Sequence, residues 1–298
     1  APATLGLYAL YGWFLGMQDS KPPMVIAISI NIINIVFNFL FVYVFNMTSD
    51  GVAYASVIAQ YSGILIAVIY LLTKYVDFSR WQPIALLISP VELKKFFTVN
   101  TDIFFRTLAL MLTFTLFTAM SAKLGDNILA VNSLLLQFFF IFSFFADGIA
   151  FAGEALVGKA YGAENKTLLK KTVKHLFVFG WVATILFSII YLFAAESILG
   201  LLTTNNELVI LGSEYKWWII IIPITTITAF LWDGVFIGLT ASKQMRNVML
   251  IASLLIFLPA YLLSYTSLQN HGLWLAMNLF MLIRGLLMWK SSKKIWHS

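Results

Sequence analysis

The 298-residue chain contains no cysteine, and only 11% of its residues are charged. The missing thiols exclude disulfides, thiolate metal sites and thiol chemistry. A soluble domain usually carries about 25% charged residues, so the low charge excludes an ordinary soluble fold. The three histidines, His175, His271 and His297, lack metal-ligand spacing. No pairing of a nucleophile with a base is evident. We therefore expect that the protein is not an enzyme, holds no cofactor and does not bind nucleic acid.

Long apolar runs take the place of the missing charge. Hydrophobic residues make up 61% of the chain, and residues 177–195 include no ionisable side chain. A bilayer crossing takes about 20 apolar residues, and its backbone must satisfy its own hydrogen bonds as a helix. The pattern predicts an all-α polytopic membrane protein. Its nine predicted spans are residues 1–17, 24–45, 52–73, 97–120, 128–152, 176–195, 216–240, 247–265 and 271–289.

Lysine and arginine fall almost entirely in alternate loops. Of the 19, fifteen lie in one set of loops, two lie in the other set and two lie within spans. Basic loops stay in the cytoplasm, which places the C-terminus and residues 74–95, 153–175 and 241–247 inside. The basic segment 153–175 also has interspersed apolar positions. It is predicted to be a short helix at the inner surface, held by anionic headgroups.

One segment occurs twice. Residues 12–21 and 234–243, 222 positions apart, agree at five of ten positions, with Gly, Ser and Lys in the same order. Duplicated helical membrane proteins are typically transporters with a substrate site between the copies. The offset predicts about 130 further residues and three spans before residue 1, hence an N-terminally truncated protein with two parallel six-helix bundles around a central cleft. The predicted domains are residues 1–73 (end of the first bundle), 74–95 (cytoplasmic linker) and 96–298 (second bundle).

Six ionisable residues fall at membrane depth, where each costs about 2.5–3.5 kcal/mol on insertion scales. Asp102 and Arg106 are four residues apart on one helix face and are predicted to neutralise each other, with gating or proton handling as the alternative. Asp147 and Asp233 have no obvious local partner. Each either binds a cation or a proton in a cavity or hydrogen-bonds to a neighbouring helix. Arg284 is expected to snorkel inward. The six residues are Asp102, Arg106, Asp147, Glu154, Asp233 and Arg284.

Amide side chains form a second polar set. Asn31, Asn34 and Asn38 recur at spacings of three and four, which gives one stripe along a helix. Asn132 and Gln137 follow a similar pattern on the fifth span. The two interpretations are hydrogen bonding between helices and the polar lining of a central cleft. Three amides on an otherwise apolar helix favour the cleft.

Four segments carry a family resemblance. They are residues 12–23, 51–55, 100–107 and, most specifically, 147–159, which reads DGIAFAGEALVGK. Together they resemble the multidrug and toxic compound extrusion (MATE) family, and its DinF-like branch in particular. The resemblance implies an inner-membrane antiporter that exchanges protons or sodium for amphipathic, often cationic, small molecules. Family members commonly carry an acid at the position of Asn38. Because an amide cannot take up a proton, the identity of the coupling ion stays open between proton and sodium. The second half of the chain then becomes the more favoured place for ion coupling.

A flippase for lipid-linked precursors, from the same broad superfamily, is the alternative. It would share the two-bundle architecture but would line its cleft with cationic residues that bind pyrophosphate. Only Arg106 and Arg284 lie within spans, against Asp102, Asp147 and Asp233. This balance favours a cationic cargo. We expect a monomeric antiporter whose partners are a small-molecule substrate and the lipid bilayer.

Overall fold

Every regular element that the structure describes is a helix. The computed structural model describes residues 2–75 and 89–296, and the chain divides into two compact units, Ala1–Ser89 and Pro90–Ser298. Unit 1 contains α1 (Pro2–Gly16), α2 (Lys21–Phe39), which continues as a π-helical turn (Leu40–Val44), and α3 (Ser49–Lys74). Unit 2 contains α4 (Pro90–Lys123), α5 (Asp126–Gly162), α6 (Lys166–Leu202), α7 (Asn206–Glu214), α8 (Lys216–Gly238), α9 (Ser242–Ile251) with a π-helical turn (Ala252–Phe257), α10 (Leu258–Tyr261) with a 3-10 turn (Leu262–Tyr265), and α11 (Gln269–Trp296).

The helices confirm the predicted all-α, multi-span class. Eight of the described helical segments are long and apolar enough to cross a membrane. The first predicted span is α1, which at 15 residues is shorter than the others. The other eight predicted spans each coincide with one of the eight long segments. Most of the predicted linker at residues 74–95 lies outside the described residues, and its last part begins α4.

The prediction of a separate surface helix at residues 153–175 is wrong. Helix α5 continues to Gly162, and α6 begins at Lys166, so the two long helices meet at a tight turn. Glu164 adopts a left-handed φ of 51° there. The amide of Asn165 donates to the carbonyl of Ala160 at 3.0 Å, and the Asn165 side chain caps α6 by accepting from the amide of Leu168 at 2.9 Å. These bonds satisfy both helix ends, so no extra element is needed.

The sequence repeat has a counterpart in the backbone. Gln18 and Thr240, 222 residues apart, both follow a helix end and both have a left-handed φ, of 59° and 55°. The amide of Asp19 donates to the carbonyl of Phe14 at 3.0 Å, and that of Ala241 donates to Phe236 at 2.8 Å. Both turns are therefore the same helix-ending motif. The spans that follow, Lys21–Val44 and Ser242–Tyr265, are each 24 residues long.

Helix α8 lies at the centre of unit 2. It is apolar on all sides and largely buried, as expected for a helix surrounded by other helices. Its glycines bring it against the backbone of α5. A Cβ atom at Gly234 would lie 2.2 Å from the carbonyl oxygen of Ala150, and one at Gly238 would lie 2.7 Å from that of Glu154. This close approach sets the polar residues of α5 and α8 around a shared space.

Candidate functional site

A cavity of about 360 Å³ lies within unit 2 among α4, α5, α8 and α11. Its wall combines aromatic rings with charged side chains, which is the usual composition of a small-molecule site. The aromatic residues that line it are Phe114, Phe139, Phe140, Phe151 and Phe230. The charged residues that line it are Arg106, Asp147, Glu154, Asp233 and Arg284. Five of the six ionisable residues noted at membrane depth therefore meet at one place.

Two carboxylates reach the cavity from α5. Asp147 and Glu154 are seven residues apart, which is close to two helical turns, so they share one face of the helix. Both are half-buried. Within the described parts of the chain, neither makes a hydrogen bond or an ion pair. The absence of a partner for Asp147 is consistent with the first of its two interpretations, a cation or proton site in a cavity, which stays a prediction. Glu154 belongs to the same set because of its spacing from Asp147, a signal that the sequence already contained.

The third carboxylate, Asp233 on α8, is paired with two arginines. Arg106 from α4 and Arg284 from α11 both donate through Nη2 to its Oδ2 atom. Asp233 is 7% exposed and Arg284 is 2% exposed, so this cluster is removed from solvent. The Oδ1 atom of Asp233 and the Nε atom of Arg106 are buried and have no partner in the described residues.

This cluster decides between the interpretations of one residue and corrects the prediction for another. Asp233 bonds to neighbouring helices, which is the second of its two interpretations, because α4 and α11 each supply an arginine that reaches it. Arg284 does not snorkel to the membrane surface, because its charge is balanced inside the unit. The partners lie 127 and 51 residues away in sequence, so no local pattern pointed to them.

The predicted ion pair between Asp102 and Arg106 is also wrong. Asp102, 3% exposed, accepts from Nη1 of Arg246 at 2.5 Å and from Oγ of Ser242 at 2.9 Å. Both partners belong to the start of α9. Arg106, one turn further along α4, extends instead to Asp233. The two side chains share a helix face, but each finds a better-placed partner on another helix.

The amides separate into two kinds of environment. Asn132 is buried in a network in which it donates to Ser121 and Asn270 at 2.7 Å and accepts from Nε1 of Trp274 at 2.8 Å. This network joins α4, α5 and α11. Gln137 is exposed and bonds weakly to the carbonyl of Ser133 at 3.5 Å. Neither Asn132 nor Gln137 lines the cavity.

In unit 1, the three-amide stripe is divided. Asn31 is exposed and donates to the carbonyl of Ala27 on its own helix at 2.9 Å. Asn34 donates to Ser56 of α3 at 3.3 Å, and Asn38 donates to Asn34 at 2.9 Å. The Oδ1 atom of Asn38 is buried and without a partner among the residues that the structure describes. A role for these amides in a transport pathway stays a prediction.

The chemistry that the cavity permits follows from its charges. With every group ionised, three carboxylates face two guanidiniums, so the cavity has a net charge of −1. No group of three histidine, cysteine or acidic residues that would hold a metal ion occurs in residues 2–75 and 89–296. The arrangement suits the binding of a monovalent cation or a proton.

Comparisons with known proteins agree on one family. A family model described as MatE matches residues 103–262. The chain is 34% identical over 294 residues to the DNA damage-inducible protein F of Escherichia coli (strain K12), which covers 96% of this chain and 62% of that protein. It is 26% identical to the Arabidopsis thaliana protein DETOXIFICATION 45, chloroplastic, over 95% of this chain and 50% of that protein. The chain thus spans between one half and two thirds of the length of these relatives.

Solved structures share the fold. A MATE protein in the bent conformation superposes with a TM-score of 0.83 at 17% identity, over 99% of this chain and 68% of that chain. A mutant of the Vibrio cholerae MATE transporter VcmN gives a TM-score of 0.85 at 19% identity, over 97% of this chain and 65% of that chain. At this identity the solved structures show the fold only. The family model matches more than half of the chain and therefore shows its family membership. This chain belongs to the MATE family.

Proposed function

We propose that this protein is an ion-coupled antiporter, driven by protons or sodium, that exports amphipathic cationic compounds by alternating access. The observation that carries the proposal is the pair of unpartnered carboxylates, Asp147 and Glu154, in the aromatic-walled cavity of unit 2. We further propose that it works as a monomer in the inner membrane, with its C-terminus in the cytoplasm.

The charge of the cavity gives a physical basis for exchange. Its net charge of −1 is neutralised by one proton, one sodium ion or one monovalent cationic substrate. Holding two of these at once leaves an excess positive charge in a medium of low dielectric constant, which is costly. Coupling ion and substrate therefore compete for the same carboxylates. That competition is the minimum requirement of an antiporter.

The aromatic walls favour organic cations. Phe114 lies 5.4 Å from Phe139 and 6.0 Å from Phe140, measured between ring centroids. Rings so placed offer faces that attract a delocalised or quaternary cation, while their area favours apolar parts of the same molecule. The flippase alternative is less well supported, because Arg106 and Arg284 both pair with Asp233 and the cavity as a whole has a net charge of −1, which repels a pyrophosphate.

The test removes the two free carboxylates. Binding of a fluorescent lipophilic cation to the purified protein, and its efflux from cells, are measured for Asp147→Asn, Glu154→Gln and the double variant. We expect the affinity to fall about tenfold for each single variant, since each removes a charged partner of the ligand. The dependence of cation binding on pH or on the sodium concentration should weaken in the same variants. The matched control is Glu207→Gln, an exposed acid on α7 away from the cavity. Unchanged affinity in the double variant, at equal amounts of inserted protein, would refute the proposal.

The orientation has its own test. The chain lacks cysteine, so single cysteines introduced at positions 170 and 207 report without background. Because Lys170 belongs to the basic set of loops and Glu207 to the acidic set, an impermeant thiol reagent should label Glu207→Cys from outside intact cells. Lys170→Cys should be labelled only after permeabilisation. Equal labelling of both from outside would overturn the orientation.

A further inference from the structure

A second cavity, of about 340 Å³, lies between α6 and α11 and reaches α8. Three lysines line it: Lys170 and Lys174 from α6, and Lys293 from α11. None of the residues that line it is acidic. The other lining residues are Val173, Phe177, Trp232, Trp289 and Ser292. The cavity is therefore strongly cationic and has an aromatic wall.

The positive charges and one buried donor have no anionic partner. Within residues 2–75 and 89–296, none of the three lysines forms an ion pair with a carboxylate. The ammonium of Lys293 lies 4.7 Å from the ring centroid of Trp289, a cation–π contact that leaves its charge uncompensated. Trp232 is 4% exposed, and its Nε1–H is buried without an acceptor. A buried donor that stays unpaired is costly, and the three exposed ammonium groups beside it attract negative charge, so both favour an anionic acceptor.

The position along the helices indicates where that anion comes from. Lys170 and Lys174 come just before residues 177–195, the apolar run without an ionisable residue, and Lys293 lies near the end of α11. The lysines therefore lie at the level of the lipid headgroups on the face predicted to be cytoplasmic. Trp289 is 51% exposed beside them, as is common for aromatic residues at a membrane interface.

We propose that this cavity binds the phosphate of an anionic phospholipid from the cytoplasmic leaflet. The three ammonium groups contact the phosphate oxygens, and Phe177 and Trp289 contact the glycerol and the start of the acyl chains. A lipid is favoured over a free anion because the cationic cavity adjoins exposed apolar surface that the bilayer covers. The site is separate from the charged cavity, so it stands whether or not the protein is an antiporter.

The experiment measures lipid retention on the intact, purified chain in detergent. Phosphatidylglycerol, phosphatidylcholine and inorganic phosphate are titrated separately, and bound species are counted by native mass spectrometry. The test variant combines Lys170→Gln, Lys174→Gln and Lys293→Gln. The matched control combines Lys166→Gln, Lys171→Gln and Lys243→Gln, which removes the same charge from the same predicted face but not from the cavity. A thermal melt of each variant confirms folding.

The expected result is a preference for phosphatidylglycerol over phosphatidylcholine that the control retains. The test variant should lose about fivefold in affinity per lysine, or about 100-fold in total. Trp232→Phe keeps an aromatic ring beside Phe177, whose ring centroid lies 5.1 Å from that of Trp232 at an interplanar angle of 58°, but it removes the donor and should lower the lipid affinity about fivefold. Equal loss in test and control variants would overturn the site in favour of diffuse attraction. Competition by inorganic phosphate at the same concentration as the lipid would overturn the assignment to a lipid.

Discussion

The turn after α1 and the turn after α8 have the same backbone hydrogen bonds but different charges around them. Gln18 donates to the carbonyl of Leu15 at 2.9 Å, and Thr240 donates to that of Ile237 at 2.8 Å. In unit 1 the turn itself supplies a carboxylate, Asp19, which accepts from Lys74 at 2.5 Å and from Tyr75. In unit 2 the equivalent position is Ala241.

Unit 2 obtains its carboxylate from a different helix. Asp102 of α4 accepts from Ser242 and Arg246, which follow the turn. An ion pair thus joins each turn region to another helix. In unit 1 the turn supplies the acid, Asp19, whereas in unit 2 the helix after the turn supplies the base, Arg246. The duplicated backbone therefore sets where an ion pair forms, while side chains from other helices set which residues form it.

The helices before the two turns differ in the same way. Tyr11 and Asp233 occupy equivalent positions, and so do Gly12 and Gly234. Gly234 is in contact with the backbone of α5, whereas a Cβ at Gly12 would meet nothing within 4 Å in the described part of the chain. Equivalent residues therefore differ in how much they stabilise the fold, and two matched pairs of variants and two further substitutions measure the difference.

The largest difference is expected between Asp233→Asn and Tyr11→Phe. Asp233→Asn leaves Arg106 and Arg284 without their shared charge in a buried site, which should cost about 3–5 kcal/mol of unfolding free energy. Tyr11→Phe should change it by less than about 0.5 kcal/mol. Denaturant titration in detergent measures both. Similar losses for the two variants would show that the arginine cluster does not stabilise unit 2.

Next comes Gly234→Ala against Gly12→Ala. A methyl group at Gly234 would overlap the carbonyl of Ala150 and force α5 and α8 apart, at a cost of about 1–3 kcal/mol. At Gly12 the same change meets nothing within 4 Å among the described residues and should stabilise the helix by about 0.5–1 kcal/mol, because alanine is the better helix former. Thermal unfolding separates these outcomes by sign. A stabilising Gly234→Ala would contradict the close packing.

A smaller loss of unfolding free energy is expected for Asp102→Asn. The amide still accepts from Ser242 but no longer balances Arg246, whose side chain is 28% exposed and can recover part of its hydration. We expect a loss of about 1–2 kcal/mol. The change should be relieved in the double variant Asp102→Asn with Arg246→Gln, because the unpaired charge is then gone. A double-mutant cycle tests this coupling, and simple additivity would argue against the pair.

The smallest effect concerns Asp19 and appears only as a dependence on pH. The hydrogen bonds from Lys74 and Tyr75 lower the pKa of Asp19 below its usual range. Because the pKa is lower in the folded state than in the unfolded state, the ionised carboxylate stabilises the fold at a pH above about 4. This stabilisation is lost as the pH falls through the lowered pKa. The difference in melting temperature between the native chain and Asp19→Asn should therefore shrink as the pH drops from about 6 to about 3. A difference that is constant with pH would assign the effect to something other than the ionised carboxylate.

The helical class, the repeat and the positions of eight of the nine predicted spans follow from the sequence. An apolar run of bilayer length must form a helix in lipid to satisfy its backbone hydrogen bonds, so the span positions follow from the hydropathy along the chain. The repeat indicated that residues 12–21 and 234–243 are equivalent, but the left-handed turns at Gln18 and Thr240 were found only in the structure. Asp147 and Glu154 lie on one face because seven residues nearly complete two helical turns, a local property.

The pairing of the charges, in contrast, depends on how the helices pack. Arg106 had an acid one turn away, at Asp102, yet it bonds to Asp233 on another helix. Pairing inside an apolar bundle depends on which helices are neighbours and on how closely they approach, as the contact of Gly234 with α5 illustrates. A local pattern contains neither quantity. The basic segment 153–175 was predicted to be a surface helix. Because α5 and α6 instead meet at one tight turn, part of this segment lines the cationic cavity.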